Sequence, residues 1–264
     1  MSRSLAIFIP SLVAVAATGC LATSGDEGFV VLNDSAPPTS GGCVFTGSAT
    51  QAFTASGMIN ALSTQGYMAF PLLESRLQLM TPGEGSGTDT GSGSTDPLAK
   101  TIDIQGARVS LTLFDPVTMT GGVSSPATDS AIPDGLDQFT AEFSATLMPG
   151  ATLNVGFPLV PPAVLSGILP SGFDPTDLTN EFSALVSAHV IVFGTLAGDE
   201  IDAAPWDFPV TVCAGENCVF SDVGSCPATG TLPTPNPCNP YQDGQIPCCE
   251  NAANSTLVCP ATTM

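Results

Sequence analysis

The sequence predicts an all-β fold: an antiparallel β-sandwich, immunoglobulin-like or jelly-roll-like, with one short helix and a small disulfide-rich module at its C-terminal end. Three observations predict it. Short apolar runs, most of them alternating with period two and broken by Gly, Pro and Asp, recur from residue 43 to residue 213. The composition combines 43% hydrophobic residues with only 11% charged ones, and it includes 27 Gly and 24 Pro, which suits a folded, loop-rich domain and not a disordered acidic chain. Seven of the nine cysteines fall in the last 52 residues, where apolar side chains are too few to build a core and cross-links take its place.

The N-terminal segment reads as an export signal over residues 1–19: Arg3, an apolar run at 5–17, then the small residues Ala16, Ala17 and Gly19. That run is shorter than the roughly 20 residues a membrane-crossing helix needs. The stretch VAATGC at 15–20 resembles the lipobox of bacterial lipoproteins, departing from it at Ala17, where that pattern prefers leucine. The resemblance implies that Cys20 is the lipid attachment site and that the membrane is a partner through two or three acyl chains, at ~0.8 kcal/mol per buried methylene. Residues 20–42, small, polar and broken by Pro37-Pro38 and Gly41-Gly42, predict a flexible tether with a brief apolar interruption at 29–32.

The sandwich is expected over residues 43–213. Met68, Phe70 and Leu72 alternate, and Leu77 and Leu79 continue the pattern, as two strands or one bent strand. Residues 82–97 (PGEGSGTDTGSGSTDP) predict a flexible surface insertion, and its Asp89 and Asp96 lack the spacing of a calcium loop. Residues 102–104 and 109–114 resume strand character, closed by Asp115-Pro116. Phe139, Ala141, Phe143, Ala145 and Leu147 mark a half-buried antiparallel strand ending at Pro149-Gly150, and 153–159 predict another strand.

Prolines in the first turn and Pro170 beyond the last predict a short helix over 161–169. A helix start at 174–178 is followed by Leu178, Phe182, Leu185 and Val186 at helical spacing, but the β-branched run at 188–193 makes 181–196 mostly strand. A turn at Gly198-Asp199 leads to a last strand over 206–213, after which turn residues dominate.

Apart from Cys20, an even set of eight cysteines remains: Cys43, Cys213, Cys218, Cys226, Cys238, Cys248, Cys249 and Cys259. In an exported chain they predict four disulfides, with 105 possible connectivities. Cys43 is expected to reach into the module at 214–264, and a vicinal Cys248–Cys249 bond is disfavoured by strain. The spacings lack paired Cys-x-x-Cys, which argues against zinc.

No catalytic residue, metal or cofactor emerges. His189 is the single histidine, set in an apolar strand without the surroundings of a hydrolase triad, and reads as a satisfied or edge-facing strand residue. Asp199, Glu200 and Asp202 form one acidic group and Asp129, Asp134 and Asp137 another; both read as solvated turns, with calcium or glycosidase chemistry as the alternatives. Tyr67, Tyr241, Trp206 and Phe208 are too few for a carbohydrate platform, and Trp206 reads as core. A formal charge of −20 excludes nucleic acid as a partner.

The runs VIVFGTLAG at 190–198, FPVTVC at 208–213, NPCNP at 236–240, PCC at 247–249 and GYMAFPLL at 66–73 resemble uncharacterised predicted lipoproteins of myxobacteria and related δ-proteobacteria. The resemblance implies a lipidated envelope protein and no particular activity. Leu21, in place of the aspartate that retains some lipoproteins at the inner membrane, favours the outer membrane. The expected role is non-catalytic binding or structural, with an unknown extracellular or periplasmic ligand. The alternatives are an envelope hydrolase using carboxylates and a calcium-dependent surface adhesin.

Overall fold

A computed structural model describes residues 28–38, 45, 47–61, 63, 65–77, 101–120, 123–174, 180–215, 218, 220–226, 242–243, 246–251 and 256–258. The first layer of the domain is a sheet of order β2-β1-β5-β9, built from β1 (Phe29–Ser35), β2 (Phe53–Thr54), β5 (Pro71–Ser75) and β9 (Thr152–Asn154). β4 (Tyr67–Ala69) pairs with β10 (Phe157–Val160) in line with β5 and β9. The facing layer has seven strands. Its path is β3 (Gly57–Asn60), β13 (Trp206–Ala214), β11 (Asn180–Leu196), β6 (Ile102–Thr120) and β7 (Val123–Pro126), with β8 (Gln138–Leu147) also on β6 and β12 (Asp199–Asp202) also on β11. Pairing is antiparallel throughout both layers except for β3 on β13.

Alternation on the long strands builds the core. Phe182, Ala184, Val186, Ala188, Val190 and Val192 point inward from β11, and Phe208, Val210 and Val212 from β13, all buried. They meet Phe29 and Leu73 of the first sheet and Tyr67, Ala69, Phe157 and Leu159 of the β4–β10 pair in one continuous cluster. This is the two-layer arrangement of a sandwich. The helix α1 (Pro162–Gly167) closes one end, with Pro161 extended at its N-cap and Val164 and Leu165 buried.

β8 follows the predicted alternation: Phe139, Ala141, Phe143, Ala145 and Leu147 lie inward of exposed Gln138, Thr140, Glu142, Ser144 and Thr146. The hairpin from β11 to β12 has a two-residue loop, Ala197-Gly198, with φ of 55° and 96°. Two left-handed residues give the loop the twist that antiparallel strands need.

Several expectations are corrected. Residues 29–35 of the tether expected over 20–42 belong to the domain, because Phe29 is fully buried and β1 pairs on both sides, with β2 and β5. The Met68, Phe70, Leu72 alternation has the wrong phase at its start: Tyr67 and Ala69 are fully buried, and Met68 and Phe70 only partly. Asp115-Pro116 does not close a strand. Ser183 pairs with Val117 and Leu185 with Phe114, so two residues oppose Ala184 in a bulge, Asp115 takes φ 46°, and β6 runs on to Thr120. The stretch 153–159 is two strands, broken at Val155-Gly156 where a Cβ on Gly156 would sit 3.1 Å from the Phe70 ring.

β13 is not the last strand either. β14 (Phe220–Ser225) and β15 (Ile246–Asn251) pair in parallel, and β16 (Thr256–Val258) pairs antiparallel with β15. Backbone pairing and cross-links organise this small sheet, so its sequence shows no apolar periodicity. Among the described residues two disulfides are present, Cys213–Cys218 and Cys226–Cys249. The insertion at 82–97 and, beyond Asp174, the helix start at 174–178 lie outside the described residues.

Candidate functional site

The two acidic groups and the histidine singled out by sequence lie on the outer surface. Glu200 and Asp202 on β12 both pair with the Arg108 guanidinium, which also lies over the Phe193 ring at 4.9 Å. One cation thus pairs with two of the three carboxylates in that turn and offsets half of their charge, leaving Asp199 exposed at the hairpin end. Asp129, Asp134 and Asp137 are exposed, and Asp129 accepts the Ser171 N–H at 3.0 Å. Trp206 stacks at a tilt on Phe208, with centroids 5.1 Å apart, against the edge of the core.

His189 lies on the outer face of β11 and its Nδ1 sits 2.7 Å from Asp207 Oδ1 on β13. Ser110 of β6 is its register partner on the other side. The row Asp207, His189, Ser110 has the residue types of a hydrolase triad on three neighbouring strands, an arrangement no sequence spacing signals. The site is an open sheet face whose backbone N–H groups are engaged in the ladders to either side, so it offers no oxyanion pocket. Among the described residues, no three His, Cys, Asp or Glu side chains converge as a metal site. Cys20, Cys43, Cys238, Cys259, Tyr241, Asp89 and Asp96 lie outside the described residues, and Cys248 contributes its backbone to β15.

The most unusual electrostatics are internal. Between the two layers, Asp34 of β1 accepts the Phe70 N–H at 2.6 Å and the Thr54 hydroxyl at 3.1 Å. The Asp34 side chain reaches from β1 to Phe70, in the bend between β4 and β5, and serves a backbone group there. Burial, reinforced by the nearby charge of Asp243, pushes its carboxyl up to about 7, against the lowering effect of the two hydrogen bonds.

Asp243 accepts the Met58 N–H and the Tyr67 hydroxyl, both at 2.8 Å, and burial raises its carboxyl also. Tyr67 is fully buried, and burial and both carboxylates hold its hydroxyl protonated, far above the ordinary tyrosine range. Gly57 makes room for it: a Cβ there would fall 2.4 Å from the Tyr67 ring. Sequence reasoning missed this centre. Asp34 reads as part of a tether and Asp243 falls in the turn-rich stretch after residue 213, and no local signal joins positions so far apart.

A second feature is apolar and external. Met58, Thr211, Leu185 and Phe114 form one cross-strand row on the outer face of β3, β13, β11 and β6, and Met58, Leu185 and Phe114 are exposed. Beside that row, Met58, Val117, Met119, Thr211 and the Cys213–Cys218 disulfide line a groove of about 210 Å³. Exposed apolar side chains set together in this way mark a binding surface more often than singly scattered ones do.

No protein-family model matches the chain, and no curated protein matches it in sequence.

Proposed function

We propose that the protein is a lipid-anchored component of a bacterial cell envelope with a non-catalytic binding or structural role, held at the outer membrane by acyl chains on Cys20. The sandwich stands outside the cytoplasm on a short tether and presents the outer face of its larger sheet to an extracellular or periplasmic ligand. The observation that carries this reading is the pair of disulfides, Cys213–Cys218 and Cys226–Cys249, since such cross-links persist in oxidising compartments. The lipobox-like VAATGC and the likeness to myxobacterial lipoproteins support the anchor. The apolar row and groove support binding over catalysis, because the polar groups nearby are either ion-paired or on an open face.

Non-reducing mass spectrometry after thiol alkylation, on protein extracted from its native membrane, tests the reading. Acylated Cys20 as the first residue, with the remaining cysteines unalkylated, is the expected result. An unacylated start makes the protein freely secreted, and several free thiols argue for a reducing compartment. A hydrolytic activity abolished by Asp199→Asn and Asp202→Asn with the fold intact would replace the binding role, and a melting temperature that rises with calcium would favour the adhesin.

A further inference from the structure

We propose that Gln242 and Asp243 form a pH-operated latch on the edges of β3 and β4, released when Asp34 ionises beside Asp243. Asp243 holds Met58 twice: its backbone N–H donates to Met58 O and its Oδ1 accepts the Met58 N–H, both at 2.8 Å. Gln242 does the same to Met68 with its side-chain amide, Oε1 accepting the Met68 N–H at 2.9 Å and Nε2 donating to Met68 O at 2.8 Å. Two residues thus satisfy four backbone groups on strands of different sheets, β3 being the end strand of the seven-stranded one. The Tyr67 hydroxyl on Asp243 Oδ2 adds a third fixation.

The groups that face this centre are Asp34 from β1, Thr54 from β2, Tyr67 from β4, and Asp243 itself. Among the described residues no cationic side chain pairs with either carboxylate. With Asp34 protonated the centre holds at most one negative charge, solvated by Tyr67 and Met58. With Asp34 ionised it holds two in a place largely closed to water, where their repulsion is poorly screened. The strain is relieved at the weaker attachment. Asp34 belongs to a strand paired on both sides, whereas Gln242 is joined to β3 by a single isolated bridge to Ile59. Release leaves the Met58 and Met68 backbone groups free, and an open strand edge accepts an extended segment from another chain.

Amide hydrogen exchange on the full chain, corrected for intrinsic rates and compared at about pH 6 and about pH 8.5, tests the latch. The Met58 and Met68 amides are expected to lose roughly tenfold or more of their protection at the higher pH, while β11 keeps its own. Asp34→Asn, neutral and of the same shape, is expected to hold both amides protected at either pH. Protection that is independent of pH in the unaltered chain, or that Asp34→Asn loses equally, overturns the proposal. Should Asp34→Asn fail to fold, carbon NMR titration of Asp34 in the unaltered chain decides. A midpoint near neutrality shared by the Met58 and Met68 amide shifts supports the latch. A midpoint in the ordinary carboxylate range, or amide shifts that do not follow it, overturns it.

Discussion

Burial of Asp34 reverses the pH dependence that carboxylates commonly impart. Its folded carboxyl titrates at about 7 against 3.8 in an open chain, so between those values the native state binds the extra proton. The stability this group supplies is fully present below about pH 4 and is lost as the pH rises through about 7, a fall of roughly 4 kcal/mol across that window. Asp34→Asn is therefore expected to flatten the slope of unfolding free energy between about pH 5 and pH 8 in urea titrations, and a variant as steep as the parent would refute the assignment. Gly57 is the companion position. Any side chain there overlaps the buried Tyr67 ring, so Gly57→Ala is expected to cost about 1 to 3 kcal/mol in the same titrations, and a neutral result would mean that Tyr67 moves freely. Neither residue announces itself in sequence. Asp34 sits in the polar run Asn33-Asp34-Ser35, which looks solvated because burial of a hydrogen-bonded carboxylate leaves no periodicity to read.

Among the elements, legibility follows the inner-face alternation. β8 and β11 were readable because one face of each is core and the other solvent, which fixes every second residue. The helix at Pro162–Gly167 was readable from proline positions alone. Asp115-Pro116 reads as the end of β6 because proline normally ends a ladder; here the bulge sets Asp115 and Pro116 together opposite Ala184, so the missing N–H is accommodated, and the Pro116 carbonyl takes the Ala127 N–H at 2.8 Å. β14 and β15 were illegible for the opposite reason. Their parallel pairing is joined across 23 residues by Cys226–Cys249, and a cross-link, unlike a core, imposes no pattern on the residues around it. Closing a loop of that size limits the unfolded chain enough to contribute about 3 kcal/mol. Replacing both cysteines by serine is expected to abolish the β14–β15 pairing, read as lost protection of the backbone amides of residues 246–251. The β11 amides are expected to stay protected, and loss of protection across the whole domain would show that the two parts fold as one unit.

At the scale of the molecule, the larger sheet has a divided outer face. One end is polar, with Asp207, His189 and Arg108; the other carries Met58, Leu185, Phe114 and Met119. The residues of the candidate surface were visible in sequence only as the outward members of each alternation. Their convergence required the register of four strands. A neutral apolar dye such as Nile red is expected to brighten on this end, and Leu185→Glu with Met119→Glu to remove that response while leaving the melting temperature within a few degrees, since exposed substitutions typically cost under ~0.5 kcal/mol. An unchanged dye response would move the binding surface elsewhere.

The position of β1 also decides how the domain bears a pull. The Gly28 carbonyl takes the Arg76 N–H at 2.9 Å, and from it the chain runs directly into a strand flanked by β5 and, at its far end, by β2. Tension arriving from the N-terminal side and directed along that strand shears the whole β1–β5 ladder at once, instead of peeling its bonds one at a time. Pulled by this end, the domain yields only when the ladder fails as a unit, and the first strand to leave takes with it Phe29, a keystone of the core.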